Sequence, residues 1–419
     1  MTVVPRIKWV LLGFILVLLF ETSIALNIAV IGAGASGLAS AKNALEQGHK
    51  VVIFEKGPRL GGIWWYTNRV GKDEYGVEIH TPMYQGLRTN TPCETMEFPG
   101  IQFSNRTTKY PTSDVVWNYL NSYAKKFNVT KHIKYHHLVE KVHPIKNKRW
   151  KITVKDLPNK RTNTNTYDAV FVCTGVCSSP RFPNYNGTFN GYTLHSHDYR
   201  SPEHFEGKDV LVVGDGVSGT DIANKLLTTA RTVTLSARGR LPLDNNSMEW
   251  SDDEEDGDEI IRKCDVKCLT ADGAEFVDGT HCNFSVIIYA TGYLYAYPFL
   301  NESSSIHTEN NYVRPLYKQI INIEHPTMAF IGIPSGGMHN VMVDLQARFA
   351  LKFLSGDKKL PTKDEMTMDT WTQIQNRMTE NYPLNRFHAL KMGRDEYYTD
   401  LADTADIQHI PESVFSYTW

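Results

Sequence analysis

Apolar and polar positions alternate along this chain in a way that repeats itself. Residues 26–37 read LNIAVIGAGASG: an apolar run breaks into Gly32-x-Gly34-x-x-Gly37, and LASAKNALEQG follows with helical spacing. That is strand, glycine turn and helix, the order that puts a helix N-terminus at the end of a sheet. A second strand, KVVIFE, ends in Glu55. The pattern returns at residues 209–227 as DVLVVGDGVSGTDIANKLL, with Gly214-x-Gly216-x-x-Gly219, and the strand after it, RTVTLSARGR, ends in Ser236 and Arg238 with no acid nearby in the sequence. YDAVFVCTG and NFSVIIYATG are two further apolar runs, each closing on a small-residue turn.

Between these landmarks the pattern is less regular. KGPRLGGIWWYT, after Glu55, is a glycine-rich loop, and residues 73–100 show no period, as expected of an irregular segment over a site. Residues 113–127 carry apolar positions at helical spacing, with Ser113 and Asp114 as caps. Residues 134–142 and 149–154 read as strands, the second closing with DLPNKRTNTNT as a turn. Residues 328–356 give a short strand, a glycine loop and an amphipathic helix, and residues 361–419 read as polar helices packed on the outside. The fold class predicted is α/β, with two dinucleotide-binding, Rossmann-like domains. The smaller is inserted into the larger: residues 26–175 and 289–419 form one, and 176–288 the other, after a signal segment at 1–25.

Composition narrows the chemistry. With 419 residues, 41% hydrophobic and 21% charged, the chain is an ordinary globular protein large enough for several domains. A net charge of -2 offers no field for nucleic acid. The acidic run at residues 251–259 reads as a solvated loop, and no metal-ligand spacing occurs anywhere. The 6 cysteines do not make a small-domain disulfide framework; Cys264 or Cys268 with Cys282 are the conceivable pairs, and buried free thiols are the expectation.

Each glycine turn is a place for a pyrophosphate. In the first, Gly32, Ala33, Gly34, Ala35, Ser36 and Gly37 would face it and Glu55 would hold a ribose hydroxyl. In the second, Gly214, Asp215, Gly216, Val217, Ser218 and Gly219 take that part, and Arg238 with Ser236 would attract a 2′-phosphate that an acid would repel. FAD with NADPH is the economical pairing. A flavoprotein disulfide reductase would need a CxxC dithiol, and the chain has none.

Between the two turns lies FNGYTLHSHDYR, that is Phe189-x-Gly191-x-x-x-His195-x-x-x-Tyr199. It resembles the signature of the flavin-containing monooxygenases, and GGIW, LRTN, YPTSDVVWNYL, VCTG, GDGVSGTDI and ATGY agree with that family over residues 27–356. The resemblance implies an NADPH- and O2-dependent enzyme that oxygenates a soft amine or sulfide through a flavin C4a-hydroperoxide. It implies Gly62, Ile63 and Trp64 against the flavin, Asn90 over it as the catalytic residue with Thr89 beside it, and Gln346 near it; His195 and Tyr199 are expected to be structural. Val217 and Cys93 depart from residues common in the family. Baeyer–Villiger monooxygenases are similar but differ at Tyr199-Arg200, and a non-catalytic flavin- or alkaloid-binding protein stays open as a third reading.

The N-terminus points outward. Arg6 and Lys8 precede WVLLGFILVLLF, and Ser23 and Ala25 suit a signal-peptidase site before Leu26, with an uncleaved anchor as the alternative. Sequons at Asn105, Asn128, Asn186, Asn245, Asn283 and Asn301 agree with secretion and glycosylation. No second apolar span or membrane tail is visible. Within the family this address, and the tract at residues 313–335, resemble secreted insect members that N-oxygenate pyrrolizidine alkaloids. The oligomeric state, homo-oligomer included, is not legible.

Overall fold

The computed structural model describes residues 25–239, 260–390, 393–411 and 414. The N-terminal apolar segment, the sequon at Asn245 and the acidic run at 251–259 lie outside them.

The chain opens on β1 (Asn27–Ile31), turns at Gly32 into α1 (Ala35–Glu46), and returns as β2 (Lys50–Phe54). After the irregular segment come α2 (Ser113–Lys126) and β3 (Ile133–Lys134). An antiparallel meander of β4 (His137–Ile145), β5 (Arg149–Asp156) and β6 (Arg161–Tyr167) leads to β7 (Ala169–Val172). A second unit then runs through β8 (Tyr192–His195), β9 (Asp209–Val213), α3 (Val217–Leu226), β10 (Thr232–Ser236) and β11 (Ile261–Lys263). The antiparallel β12 (Val266–Leu269), β13 (Gly273–Phe276) and β14 (His281–Asn283) precede its last strand, β15 (Val286–Tyr289). The hairpin β16 (His307–Glu309) and β17 (Tyr312–Arg314) brings the chain back to β18 (Leu316–Tyr317), β19 (Ile321–Asn322) and β20 (Met328–Phe330). Three helices end it: α4 (His339–Leu354), α5 (Lys363–Thr379) and α6 (Arg394–Ala405).

Two α/β sheets result. The larger has the order β18-β19-β20-β7-β1-β2-β3, and the smaller, parallel throughout, the order β11-β10-β9-β15-β8. In each, the strand carrying the glycine turn lies inside the sheet, with the next strand of its own unit on one side and a much later strand on the other. That is a topological switch point, where α/β sheets open a crevice at their carboxyl ends. The two apolar runs ending in small residues occupy equivalent places: β7 beside β1, and β15 beside β9. Both faces of these central strands are covered, so they read as unbroken apolar runs rather than alternations.

Four local expectations are corrected. The cap of α2 is Thr112, extended at φ -77°, while Ser113 and Asp114 are already helical. Residues 161–167 are a full strand, paired to β5 along its length. Residues 161–165 face solvent on both sides, so no apolar alternation announces them, but threonine suits a pleated edge. Helix α4 is buried almost all round, because α1 lies along one side and α6 along another. Finally, α6 puts Tyr397, Tyr398, Leu401, Ala402 and Ala405 into the core; only α5 is peripheral, with Met366 and Thr370 buried. All six cysteines are free thiols. Among the described residues no helix is long and apolar enough to cross a membrane.

Candidate active site

The first turn is built by exclusion. Gly32 sits at φ +102°, where a Cβ would stand 2.5 Å from Cys173 O at the end of β7. A Cβ on Gly37 would overlap Gly32 O, so no other residue lets α1 start this close to β1. Helix α1 is capped by Gly34 with no side-chain hydrogen bond and no acid in its first turn. Its orphan N–H groups and positive end are therefore left for an anion. Glu55 is 4% exposed and fastens the turn from below: Oε2 accepts from Ala33 N–H at 2.8 Å and Oε1 from Gly57 N–H at 2.7 Å. Further lone pairs on the same carboxylate remain for a ribose hydroxyl. Gly62 covers the turn, as a Cβ on it would lie 3.0 Å from Gly34 Cα. Ile63 and Trp64, half-buried, continue that wall, and the buried Thr81 hydroxyl donates to Ile63 O at 2.6 Å. Ala33, Ala35 and Ser36 are all buried.

The second turn repeats the backbone without the cover. Gly214 has φ +106°, and a Cβ there would be 2.6 Å from Ala290 O at the end of β15. Gly219 packs on Gly214 O as Gly37 does on Gly32 O. Gly216 caps α3 with no side-chain hydrogen bond, and nothing lies within 4 Å of where its Cβ would be. Asp215, Gly216, Val217 and Ser218 are exposed, Val217 to 62%. One turn is thus a walled slot, the other an open ledge. Beyond β10, Arg238 is 72% exposed in its side chain. Two sequence expectations change here. Ser236 is 1% exposed and its hydroxyl donates to Cys264 O at 2.7 Å, so it is committed to the fold. An acid is nearby after all: Asp265 Oδ2 stands 3.9 Å from Arg238 Nε, delivered by the segment after β11, which lies beside β10.

Asn90 is exposed, and its side-chain amide has no hydrogen bond among the described residues; Thr89 beside it is buried and donates to Thr91 O at 2.8 Å. Gln346 is placed differently from the expectation of a flavin contact. It is 0% exposed, its Oε1 accepts from Gly332 N–H at 2.8 Å, and its Nε2 donates to Tyr397 OH at 2.8 Å. Gly332 in turn touches Ser36, a Cβ on it reaching 2.5 Å from Ser36 Oγ. Gln346 therefore positions the first turn from behind. His195 and Tyr199 do pack the second unit: His195 caps the turn after β8 by accepting His197 N–H at 3.1 Å, and burial pushes its pKa down to about 4. Sequence reasoning missed Arg200. It is 4% exposed and donates to the carbonyls of Arg69, Thr81, His197 and Tyr199 at 2.7–3.3 Å, joining the linker to the segment that supports Ile63. A buried arginine whose hydrogen bonds go to carbonyls has no signature in sequence.

A covered glycine turn and an open one, each at the N-terminus of a helix without a side-chain cap, supply two places for a dinucleotide, as a two-nucleotide flavoenzyme needs. The chain belongs to the FMO-like family of flavin-binding monooxygenase-like proteins, whose profile matches residues 25–249 and 257–415. It is similar to senecionine N-oxygenase of Tyria jacobaeae, 33% identical over 394 residues that cover 93% of this chain and 85% of that one. Among solved structures, S-allyl-L-cysteine S-oxygenase from Allium sativum superposes with a TM-score of 0.86 at 28% identity, covering 94% of this chain and 91% of that one. Tmm from Pelagibacter sp. gives 0.79 at 30% identity, with 93% and 89% covered. The protein is an NADPH-dependent FAD monooxygenase acting on a small molecule with O2.

Proposed function

We propose that this chain transfers one oxygen atom to a soft nucleophilic nitrogen, with plant pyrrolizidine alkaloids as the substrate class and detoxification as the outcome. Amine, NADPH, a proton and O2 become amine oxide, NADP+ and water. FAD, when bound, accepts the hydride and activates oxygen. The chain's own residues hold and shield. The first turn and the positive end of α1 bind the FAD pyrophosphate, Glu55 the ribose, and Gly62, Ile63 and Trp64 keep water from the ring. The open second turn suits a coenzyme that must come and go, with Arg238 on its 2′-phosphate. Asn90 presents a donor and an acceptor at the reacting face. The observation that carries this reading is the pair of uncapped helix N-termini behind glycine turns, the first covered by Gly62 and the second open.

Nitrogen as the target is supported by the likeness to senecionine N-oxygenase over 93% of the chain. The tract at residues 313–335 supports it less than the sequence suggested. Val313, Leu316, Ile320, Ile321, Met328, Phe330 and Ile333 are buried in the core, so their pattern reflects packing and not substrate choice. Sulfur is the second reading, supported by the TM-score of 0.86 to an S-oxygenase. Mass spectrometry of products from a panel of tertiary amines, sulfides and pyrrolizidine alkaloids tests both. Gain of one oxygen confined to the alkaloids supports the first reading, gain confined to sulfides replaces it, and no oxygenated product removes both. We also read residues 1–25 as a secretory signal; N-terminal mass spectrometry of protein from a culture medium should find Leu26 first, and retention of residue 1 would overturn that.

A further inference from the structure

The segment that carries Asn90 is anchored in both units. On one side it is tied to the residues ahead of α2: Thr89 N–H donates to Pro111 O at 2.9 Å and Cys93 N–H to Lys109 O at 2.8 Å. On the other side the chain crosses over. Tyr84 precedes Asn90 by only a few residues, yet its ring is 5% exposed within the core of the smaller unit, among Leu194, Val212, Ile222 and Leu226. It stands edge-on to Tyr199 at 5.3 Å, and its hydroxyl donates to Asp221 Oδ2 at 2.5 Å. Gln85 N–H donates to Arg200 O at 2.8 Å, and Lys225 Nζ to Gly86 O at 3.1 Å. Asp221 and Lys225 lie one helical turn apart on α3, the helix whose first turn is the second glycine turn.

We propose that Tyr84 and Asp221 are positioning residues that make the placement of Asn90 depend on the second nucleotide turn. The proposal rests on the functional reading above. A dinucleotide seated on the first turn of α3 restrains that helix, and the Tyr84–Asp221 bond carries the restraint across the seam to the segment ending in Asn90. The bond suits this task because its donor is buried: burial first, then the hydrogen bond to Asp221, push the Tyr84 phenol up, so it stays a donor at every working pH. With the bond cut, FAD and NADP(H) keep their sites, but the amide over the reacting face is no longer registered to the coenzyme. NADPH, O2 and a proton then end as NADP+ and H2O2, and no oxygen reaches the substrate.

The test uses the full-length holoenzyme and Y84F, D221A, D221N and N90A, with two readouts. The first is hydrogen exchange of the backbone amides in residues 84–93, with and without NADP+. NADP+ should slow exchange in the wild type, and not in Y84F or D221A. The second is H2O2 released per NADPH oxidised, which should rise about tenfold in Y84F and D221A, the order expected for losing one hydrogen bond to a charged group. D221N keeps an acceptor and should restore part of the coupling. Flavin absorbance reports that each variant is folded and loaded. If Y84F and D221A keep wild-type exchange protection and coupling while N90A uncouples, the proposal is overturned and the functional reading stands. If N90A itself remains fully coupled, the reading on which the proposal depends falls with it.

Discussion

Arg238 stands largely in solvent at the end of β10, with Asp265 at 3.9 Å and no serine hydroxyl to help it. An exposed pair of this kind contributes little to stability, so the expected effect of changing it is on coenzyme choice. Arg238→Ala should lower kcat/KM for NADPH by about 10- to 100-fold, the loss expected for a charge-assisted phosphate contact, and leave the value for NADH nearly unchanged. Asp265→Asn, which removes the opposing carboxylate, should move the ratio the other way by a small factor. Steady-state kinetics with both coenzymes decides; equal losses with NADPH and NADH in Arg238→Ala would show that the arginine does not read the phosphate. Asn90→Ala should leave the protein yellow and consuming NADPH while its oxygenated product falls, read from product formed per NADPH. The sequence proposes both residues, one from its place after a glycine turn and the other through a motif. It does not propose Asp265, because only strand pairing brings that residue to Arg238.

At the scale of elements, helices α4 and α6 brace the first cradle. Tyr397 of α6 donates to Lys318 O at 2.9 Å and receives Gln346 Nε2 from α4, whose Oε1 holds Gly332 against Ser36 of α1. Lys318 itself is 5% exposed and bonded to Asp369 of α5 and Asp400 of α6, each at 2.9 Å. Gln346→Leu leaves the buried Gly332 N–H without an acceptor, a cost of about 1–3 kcal/mol. The melting temperature should fall by a few degrees and the dissociation constant for FAD should rise, measured by flavin fluorescence. An unchanged FAD affinity would mean that Gly332 does not position Ser36. The resemblance placed residue 346 near the flavin, and the fold adds its partners, which come from positions 332 and 397.

For the whole molecule, buried neutral histidines set the response to acid. Burial holds His195 at about 4, and burial together with Arg377 holds His388 at about 3, against an ordinary value of 6.5. His388 accepts Val313 N–H at 3.0 Å on Nε2, a bond that protonation would abolish. Between these values and 6.5 the unfolded chain binds more protons than the fold, so stability is full above 6.5 and is lost as pH falls toward 4. Carboxylates such as Asp198 and Asp209, whose pKa values are lowered by hydrogen bonds to His197 and Arg231, lose their contribution only below that window. Denaturant unfolding at pH 7, 6 and 5 should show a falling midpoint, and a flat profile would contradict it.

What the sequence by itself determined is whatever is written in short stretches: two strand–glycine–helix units, the acid after one and the arginine after the other, and the motifs of a monooxygenase family. These are local, because a turn that needs φ > 0 or the absence of a Cβ records that need in the residue itself. Only the tertiary structure decided that the first turn is walled by Gly62 while the second lies open, that Ser236 is spent on Cys264 O, and that Arg200 and Tyr84 join the units on either side of Asn90. Each of these depends on groups far apart in the chain whose partners are backbone carbonyls or single side chains. Neither has a period or a spacing to betray it.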